Sequence, residues 1–288
     1  MRRDGGVDSM KSYRALVAID WGTSALRGAR LDDSGRVLEE RSAPLGILNV
    51  PNGDFAATFA AQFGDWMKPP GALCLISGMA GSRQGWAEAP YVSCPAGPAE
   101  LARHLHWIEP DRIALVPGLS DTQRDVPDVM RGEEVQIFGA MSLAGLTEGL
   151  FVLPGTHSKW ATVRGGRIVG FRTFMTGEAF GLFSQHSILA RTLDGNAPLE
   201  KAAFLQGVAR AGEGGGLLHT VFGVRALALF DRLSPAQLYQ KYEMIFAAGQ
   251  RYARQFPPDK FLERVIPHRE RLIRTLCYHV FRIGESFL

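Results

Sequence analysis

The first hundred residues alternate short apolar runs with glycine turns. Arg14–Asp20, RALVAID, is an apolar run ending on an acid, the pattern of a buried strand. The turn WGTS follows, then ALRGARLD, the turn Asp33–Gly35, and RVLEERSA. These predict three strands joined by tight glycine turns, an antiparallel meander. Phe55, Phe59, Phe63 and Trp66 recur at helical spacing and predict a helix over 54–67. Ala72–Ser77 predicts a fourth strand, 98–107 a second helix, and Arg112–Gly118 a fifth strand.

The pattern then starts again. GLFVLP, from Gly149, predicts a strand that ends in the turn GTHS. KWATVRGG and RIVGFRTFM predict two more strands about a glycine pair, and a helix is expected from Thr176 to about Arg191. Both halves carry Gly-Thr after their first strand, at Gly22-Thr23 and Gly155-Thr156. Both then reach a hairpin glycine followed by Arg and a β-branched residue, Gly35-Arg36-Val37 and Gly166-Arg167-Ile168. Such self-similarity predicts a duplicated β-β-β-α domain with a cleft between the copies. Between them, Val129–Gly145 predicts a helix whose apolar face includes Val135, Phe138 and Met141. Glu133 and Glu134 stand at its start, where the helix dipole favours acids. Residues 199–211, 216–233 and 234–249 read as further helices, with Ser234-Pro235 a good start for the last. From about Gln255 the periodicity is weak.

Composition adds limits. A chain of 288 residues has room for one large domain or two ordinary ones. A net charge of +3 argues for neither nucleic acid nor a membrane surface, and no apolar run reaches the ~18 residues of a membrane helix. The start, MRRDGGVDSM, lacks the apolar core of a signal peptide, and 1–12 are expected to be a disordered leader. Cys74, Cys94 and Cys277 have no metal-binding or redox spacing. They suit reduced, buried thiols in the cytoplasm.

Candidate chemistry sits in the turns. Glycine lets backbone N–H groups approach an anion, and a neighbouring hydroxyl donates to a phosphate oxygen. Two facing turns of this kind, Gly22-Thr23 and Gly155-Thr156, would grip a triphosphate. Asp20 ends the first strand, where a carboxylate can hold Mg²⁺ beside phosphates. FVLPGTHSKW is no Walker loop, since one glycine precedes Lys159 by four residues and a strand follows. His157 and Ser158 are adjacent on an extended chain and point to opposite faces, so they do not form a nucleophile and its base. Phosphoryl transfer to an alcohol needs a base, and Glu133 fits, with Glu134 the alternative.

AIDWGTSALRGARL, LISGMAGSRQGWAEAPYVSCPAG, MRGEEVQIFGA and LPGTHSKWATV together resemble the 2-dehydro-3-deoxygalactonokinase family, within the actin-like ATPase and sugar kinase superfamily. The resemblance spans roughly residues 13–238. It implies an α/β fold of two ribonuclease H-like domains about a central cleft, over 13–130 and 131–288. It also implies ATP, Mg²⁺ and phosphorylation of the 6-hydroxyl of 2-dehydro-3-deoxy-D-galactonate, a cytoplasmic step of galactonate breakdown. A homodimer is compatible with it. Asp20, Gly22, Thr23 and Ser24 look like the first phosphate motif, and Gly155, Thr156 and His157 like the second. Ser77–Trp86 is similar to the family's signature on the sugar-acid side, with Arg83, Gln84 and Trp86 as candidates. Arg83 would pair with the carboxylate. Residues 240–288 depart from the family pattern, which continues into a glycine-containing adenine-binding segment. Two other functions stay open: a kinase for another sugar or sugar acid, and a ligand-binding remnant of weak activity.

Overall fold

A run of buried residues at the centre of a sheet organises the first part of the molecule. The structure, a computed structural model, describes residues 15–194, 201–212 and 216–239. The expected leader 1–12, the tail 240–288 and most of the helix expected over 234–249 lie outside the described residues.

β1 (Ala15–Trp21) pairs antiparallel with β2 (Leu26–Leu31), and β2 pairs antiparallel with β3 (Val37–Ala43). On its other side β1 runs parallel to β4 (Ala72–Gly78), which runs parallel to β7 (Ile113–Leu115). β6 (His106–Glu109) closes the far edge, giving the order β3-β2-β1-β4-β7-β6. Burial explains the sequence patterns. β1 and β4 are central and buried along nearly their whole length, so they read as continuous apolar runs. β3 is an edge strand whose residues alternate between exposed and half-buried.

α1 (Phe55–Phe63) begins at Asp54, whose side chain accepts from the Ala57 N–H at 2.9 Å. It lays Phe55, Phe59 and Phe63 on the sheet among Trp21, Leu26 and Ile76. It stops at Gly64, short of the expected end, and Trp66 and Met67 reach the same core from the turns beyond. The meander, the first helix and the fourth strand form where the apolar pattern puts them. Together they make the ribonuclease H-like arrangement that the resemblance implies for the first copy.

Three expectations change. The helix over 98–107 ends early: α2 is Pro98–Arg103, held by Glu100 Oε2 accepting from the Gly97 N–H at 2.8 Å. His106–Glu109 instead pairs as a strand. The fifth strand divides at Pro117, which has no N–H to give a ladder. Gly118 then opens β8 (Gly118–Asp121), which joins β5 (Tyr91–Ser93) and β9 (Asp128–Met130) in a separate three-stranded sheet. The helix from Thr176 breaks at Ser187. α4 is Thr176–His186, and a short 3₁₀ turn, Ile188–Thr192, follows with its Leu189 N–H donating to Ser187 Oγ at 3.0 Å.

α3 (Glu133–Ala144) starts directly after Gly132. β10 (Gly149–Leu153), β11 (Ser158–Arg164) and β12 (Arg167–Phe174) are neighbours in that order in a third sheet. α5 (Lys201–Gly212) and α6 (Gly216–Leu229) follow. By internal contacts the chain divides into two units. The first holds the described residues through Phe151 together with Ala161–Phe171, and the second holds Val152–Trp160 and the described residues from Arg172 on. In the first unit, Ala96 and Ile168 exchange two backbone hydrogen bonds, at 3.1 and 2.8 Å. Buried Asp121 also accepts from the Phe171 N–H at 3.1 Å. Most of β11 and β12 is therefore counted with the first unit.

Candidate active site

The C-terminal ends of β1 and β4 and the start of α3 meet in the first unit, and three glycine-permitted contacts bring them there. Gly78 ends β4 at φ +90°, and a Cβ on it would stand 2.9 Å from the Trp21 carbonyl and 3.1 Å from Asp20 Oδ1. Gly132 has φ +104°, and a Cβ on it would lie 3.2 Å from Gly78 Cα. A larger residue at Gly78 would press the end of β4 off β1, and one at Gly132 would press the start of α3 off β4.

Asp20 sits across from Arg27 on β2 and beside Ser77 on β4. About a fifth of its side chain is exposed, and Arg27 Nη1 is 3.6 Å away (side-chain exposure 21%). Burial raises its pKa above the ordinary carboxylate value, Arg27 opposes that, and the charge of Glu133 adds to it. Through Gly78, which packs against Asp20 on one side and Gly132 on the other, the structure brings Asp20 and the Glu133 end of α3 to the same place, although 113 residues separate the two acids in the chain.

The two glutamates behave differently. Glu134 is fully buried, and both its oxygens accept from the Gly132 N–H at 2.8 Å. Glu133 is half-buried, and its Oε2 accepts from the Arg131 N–H at 3.0 Å. Glu134 thus serves the helix start, while Glu133 keeps contact with solvent. Among the described residues no three His, Cys, Asp or Glu side chains form a ready metal cage.

The first Gly-Thr turn is braced from behind. The Gly22 N–H donates to the Ala25 carbonyl at 2.9 Å. The N–H groups of Ile47 and Leu48 donate to the carbonyls of Gly22 and Thr23 at 3.0 and 3.3 Å. Thr23 and Ser24 are exposed. In the second unit the other turn has the same brace. The N–H groups of Gly177 and Glu178 donate to the carbonyls of Gly155 and Thr156 at 3.2 and 3.0 Å. In each case a glycine three residues past the third strand packs on the turn. A Cβ on Gly46 would meet the Thr23 carbonyl at 2.3 Å, and one on Gly177 the Gly155 carbonyl at 2.5 Å. Gly35 and Gly166, the paired hairpin glycines, both have positive φ.

Around the second turn the side chains also separate. His157 is exposed and its Nε2 lies 2.5 Å from Glu178 Oε2. Ser158 is buried and its Oγ hydrogen-bonds Thr176 Oγ1. As expected, His157 and Ser158 serve different partners. Lys159 is buried, donating to Thr173 Oγ1 at 2.8 Å.

On the segment after β4, Arg83 is exposed and paired with Glu88 at 3.3 Å, and Gln84 is exposed. Trp86 turns inward and packs on Trp21 and Phe59, with ring centroids 6.1 and 5.5 Å apart. Sequence reasoning missed Arg131, which is buried beside this segment with its guanidinium 4.3 Å over the Tyr91 ring. An arginine directly before a glycine and two acids was the available signal. In the second unit, a cavity of about 760 Å³ lined by Gln206, Arg210, Thr220, Gly223 and Arg232 was likewise not anticipated. No described helix is long and apolar enough to cross a membrane.

Residues 20–242 match the family model described as 2-keto-3-deoxy-galactonokinase. The chain is 39% identical over 215 residues to a protein of Rhizobium meliloti named as a probable 2-dehydro-3-deoxygalactonokinase, covering 73% of this chain and 70% of that one. It is 36% identical over 224 residues to the 2-dehydro-3-deoxygalactonokinase of Escherichia coli, covering 77% and 74%. A solved structure from Sinorhizobium meliloti, assigned as a 2-dehydro-3-deoxygalactonokinase, matches with a TM-score of 0.76 at 31% identity over 94% of both chains.

Proposed function

The chain belongs to the 2-keto-3-deoxy-galactonokinase family, and on that footing we propose that it transfers the γ-phosphoryl group of ATP to the 6-hydroxyl of 2-dehydro-3-deoxy-D-galactonate. The relatives named as that kinase support the substrate. The observation that carries the chemistry is the convergence of Asp20 and the start of α3, where Glu133 stands, on Gly78.

In this scheme Glu133 is the base that takes the proton of the sugar hydroxyl. Glu134 is excluded from that role because both its oxygens are bound to a backbone N–H and closed off from solvent. Asp20 would hold Mg²⁺. Two coupled carboxylates raise each other's pKa, and a cation beside them relieves that cost. Mg²⁺ suits such a place, taking one or two carboxylates with phosphate and water oxygens. When bound it neutralises charge on the phosphates. Gly22, Thr23 and Ser24 would bind phosphate in one copy of the repeat, and Gly155, Thr156 and His157 in the other. The matching braces on the two turns support this pairing and the duplication behind it. Arg83, Gln84 and Trp86 would belong to the sugar-acid side. The reaction would be a cytoplasmic step of galactonate breakdown.

A coupled ADP-release assay with ATP, Mg²⁺ and a panel of sugar acids tests the assignment. Turnover should be highest with 2-dehydro-3-deoxygalactonate, with phosphorus on C6 by NMR. A different preferred acid would replace the substrate, and no turnover with any would leave a binding protein. Glu133→Gln should lower kcat by roughly 10²–10⁴-fold with ADP binding kept. Full activity in that variant would remove Glu133 from the base role.

A further inference from the structure

Among the described residues, four buried side-chain polar atoms have no hydrogen-bond partner: Arg30 Nε, Ser82 Oγ, and Arg131 Nε and Nη1. Two of the four belong to Arg131, and a third is on Ser82, whose chain neighbour packs against that arginine. Gly81, next to Ser82, lies against Arg131, so that a Cβ on it would stand 2.9 Å from Arg131 Nη1. Arg131 is 8% exposed. Its Nη2 donates to the Ala89 carbonyl at 2.8 Å, and its Cζ lies 4.3 Å over the Tyr91 ring. Glu133 and Glu134, the nearest acids in sequence, accept from backbone N–H groups at 3.0 and 2.8 Å.

A buried guanidinium with orphaned donors is costly, since each lost its water on folding. The orphaned Ser82 hydroxyl adds to the cost. What satisfies all three is an anion that brings its own acceptor oxygens, and a carboxylate matches a guanidinium best. We propose that Arg131 and Ser82 hold the carboxylate of the sugar acid. This rests on the kinase function above and names the group that tells a sugar acid from a neutral sugar. Arg131 follows the last residue of β9, Gly132 comes next, and Glu133 opens α3. Anchor and base therefore ride on the same short piece of chain, which fixes one end of the substrate relative to the other. A neutral sugar would leave the three groups unpaired, which is how a polar site rejects an analogue. The orphaned atoms are closed off from solvent, so holding the acid in this way requires the segment Met79–Ala89 to move when the acid binds.

The test compares wild type, Arg131→Met, Arg131→Lys and Ser82→Ala on the acid and on its neutral methyl ester. Arg131→Met should raise KM for the acid about 10- to 100-fold, with little change in kcat, and bring acid and ester to similar kcat/KM. Ser82→Ala should move the same way by less. An unchanged KM in folded Arg131→Met, or equal losses on acid and ester, overturns the proposal and leaves Arg131 a support for the loop. If Arg131→Met does not fold, NMR of ¹⁵N-arginine-labelled wild type decides. Its Arg131 Nε–H signal, identified by its loss in Arg131→Lys, should shift when the acid is added. No shift with the acid in large excess overturns the proposal. A wild type that binds the acid but does not phosphorylate it defeats the kinase function alone, and the NMR shift still tests the anchor.

Discussion

At Glu134 burial and hydrogen bonding pull in opposite directions, and burial wins. Desolvation is the largest influence, Glu133 pushes the same way, and the backbone N–H groups and Arg131 oppose them, leaving a pKa of about 8. The folded state therefore holds a proton that the unfolded chain gives up near the ordinary glutamate value. Between those two values the native state binds more protons, so stability must fall as pH rises from about 5 to 8. We predict that Glu134→Gln, which keeps the acceptor for the Gly132 N–H, removes this slope. By thermal melting the variant should gain on wild type as pH rises, by a few kcal/mol at pH 8; parallel curves at pH 5 and 8 would reject it. The two described thiols are buried, as the sequence led one to expect. Burial pushes Cys94 up to about 12 and raises Cys74 as well, so both are inert; Cys277 lies outside the described residues. Which glutamate stays open to solvent was not legible in the sequence, because adjacent acids on a helix start look alike until burial separates them.

Among the elements, the two braced turns carry the most. A glycine sits on each Gly-Thr turn because nothing larger fits against the carbonyl there. Gly177→Ala should force the start of α4 off the turn. We expect a loss of about 1–3 kcal/mol and weaker ADP binding by calorimetry, with Gly46→Ala behaving alike on the first turn. Unchanged ADP affinity in both folded variants would mean that these turns do not hold phosphate. The meander, α1, β4 and α3 were legible because each is long enough to show its period. β5, β8 and β9 were not, since strands of three or four residues carry no usable alternation. The helix ends were misjudged where the chain took up other local bonds before its apolar pattern ended, as at Ser187, whose Oγ accepts from the Leu189 N–H, or at His106–Glu109, which pairs as a strand.

At the scale of the molecule, among the described residues a large aromatic core lies in the first unit and a smaller cluster about Val221 and Val224 in the second. Phe63 is 1% exposed and packs on Phe59 and Trp66, with centroids 6.0 and 5.1 Å away. Phe63→Ala should cost about 3–5 kcal/mol. Urea unfolding followed by tryptophan fluorescence would report it, since Trp21, Trp66 and Trp86 lie in that core; a midpoint near wild type would show the core to be looser than it looks. The sequence by itself determined the repeated strand pattern, the paired Gly-Thr turns and the resemblance to a kinase family. Periodicity, turn residues and motifs are local, and a linear chain displays them directly. Only the tertiary structure brought Asp20 to Glu133, buried Glu134 and left Arg131 and Ser82 with unpaired donors. Burial and long-range contact set those properties, and neither exists until the chain has folded.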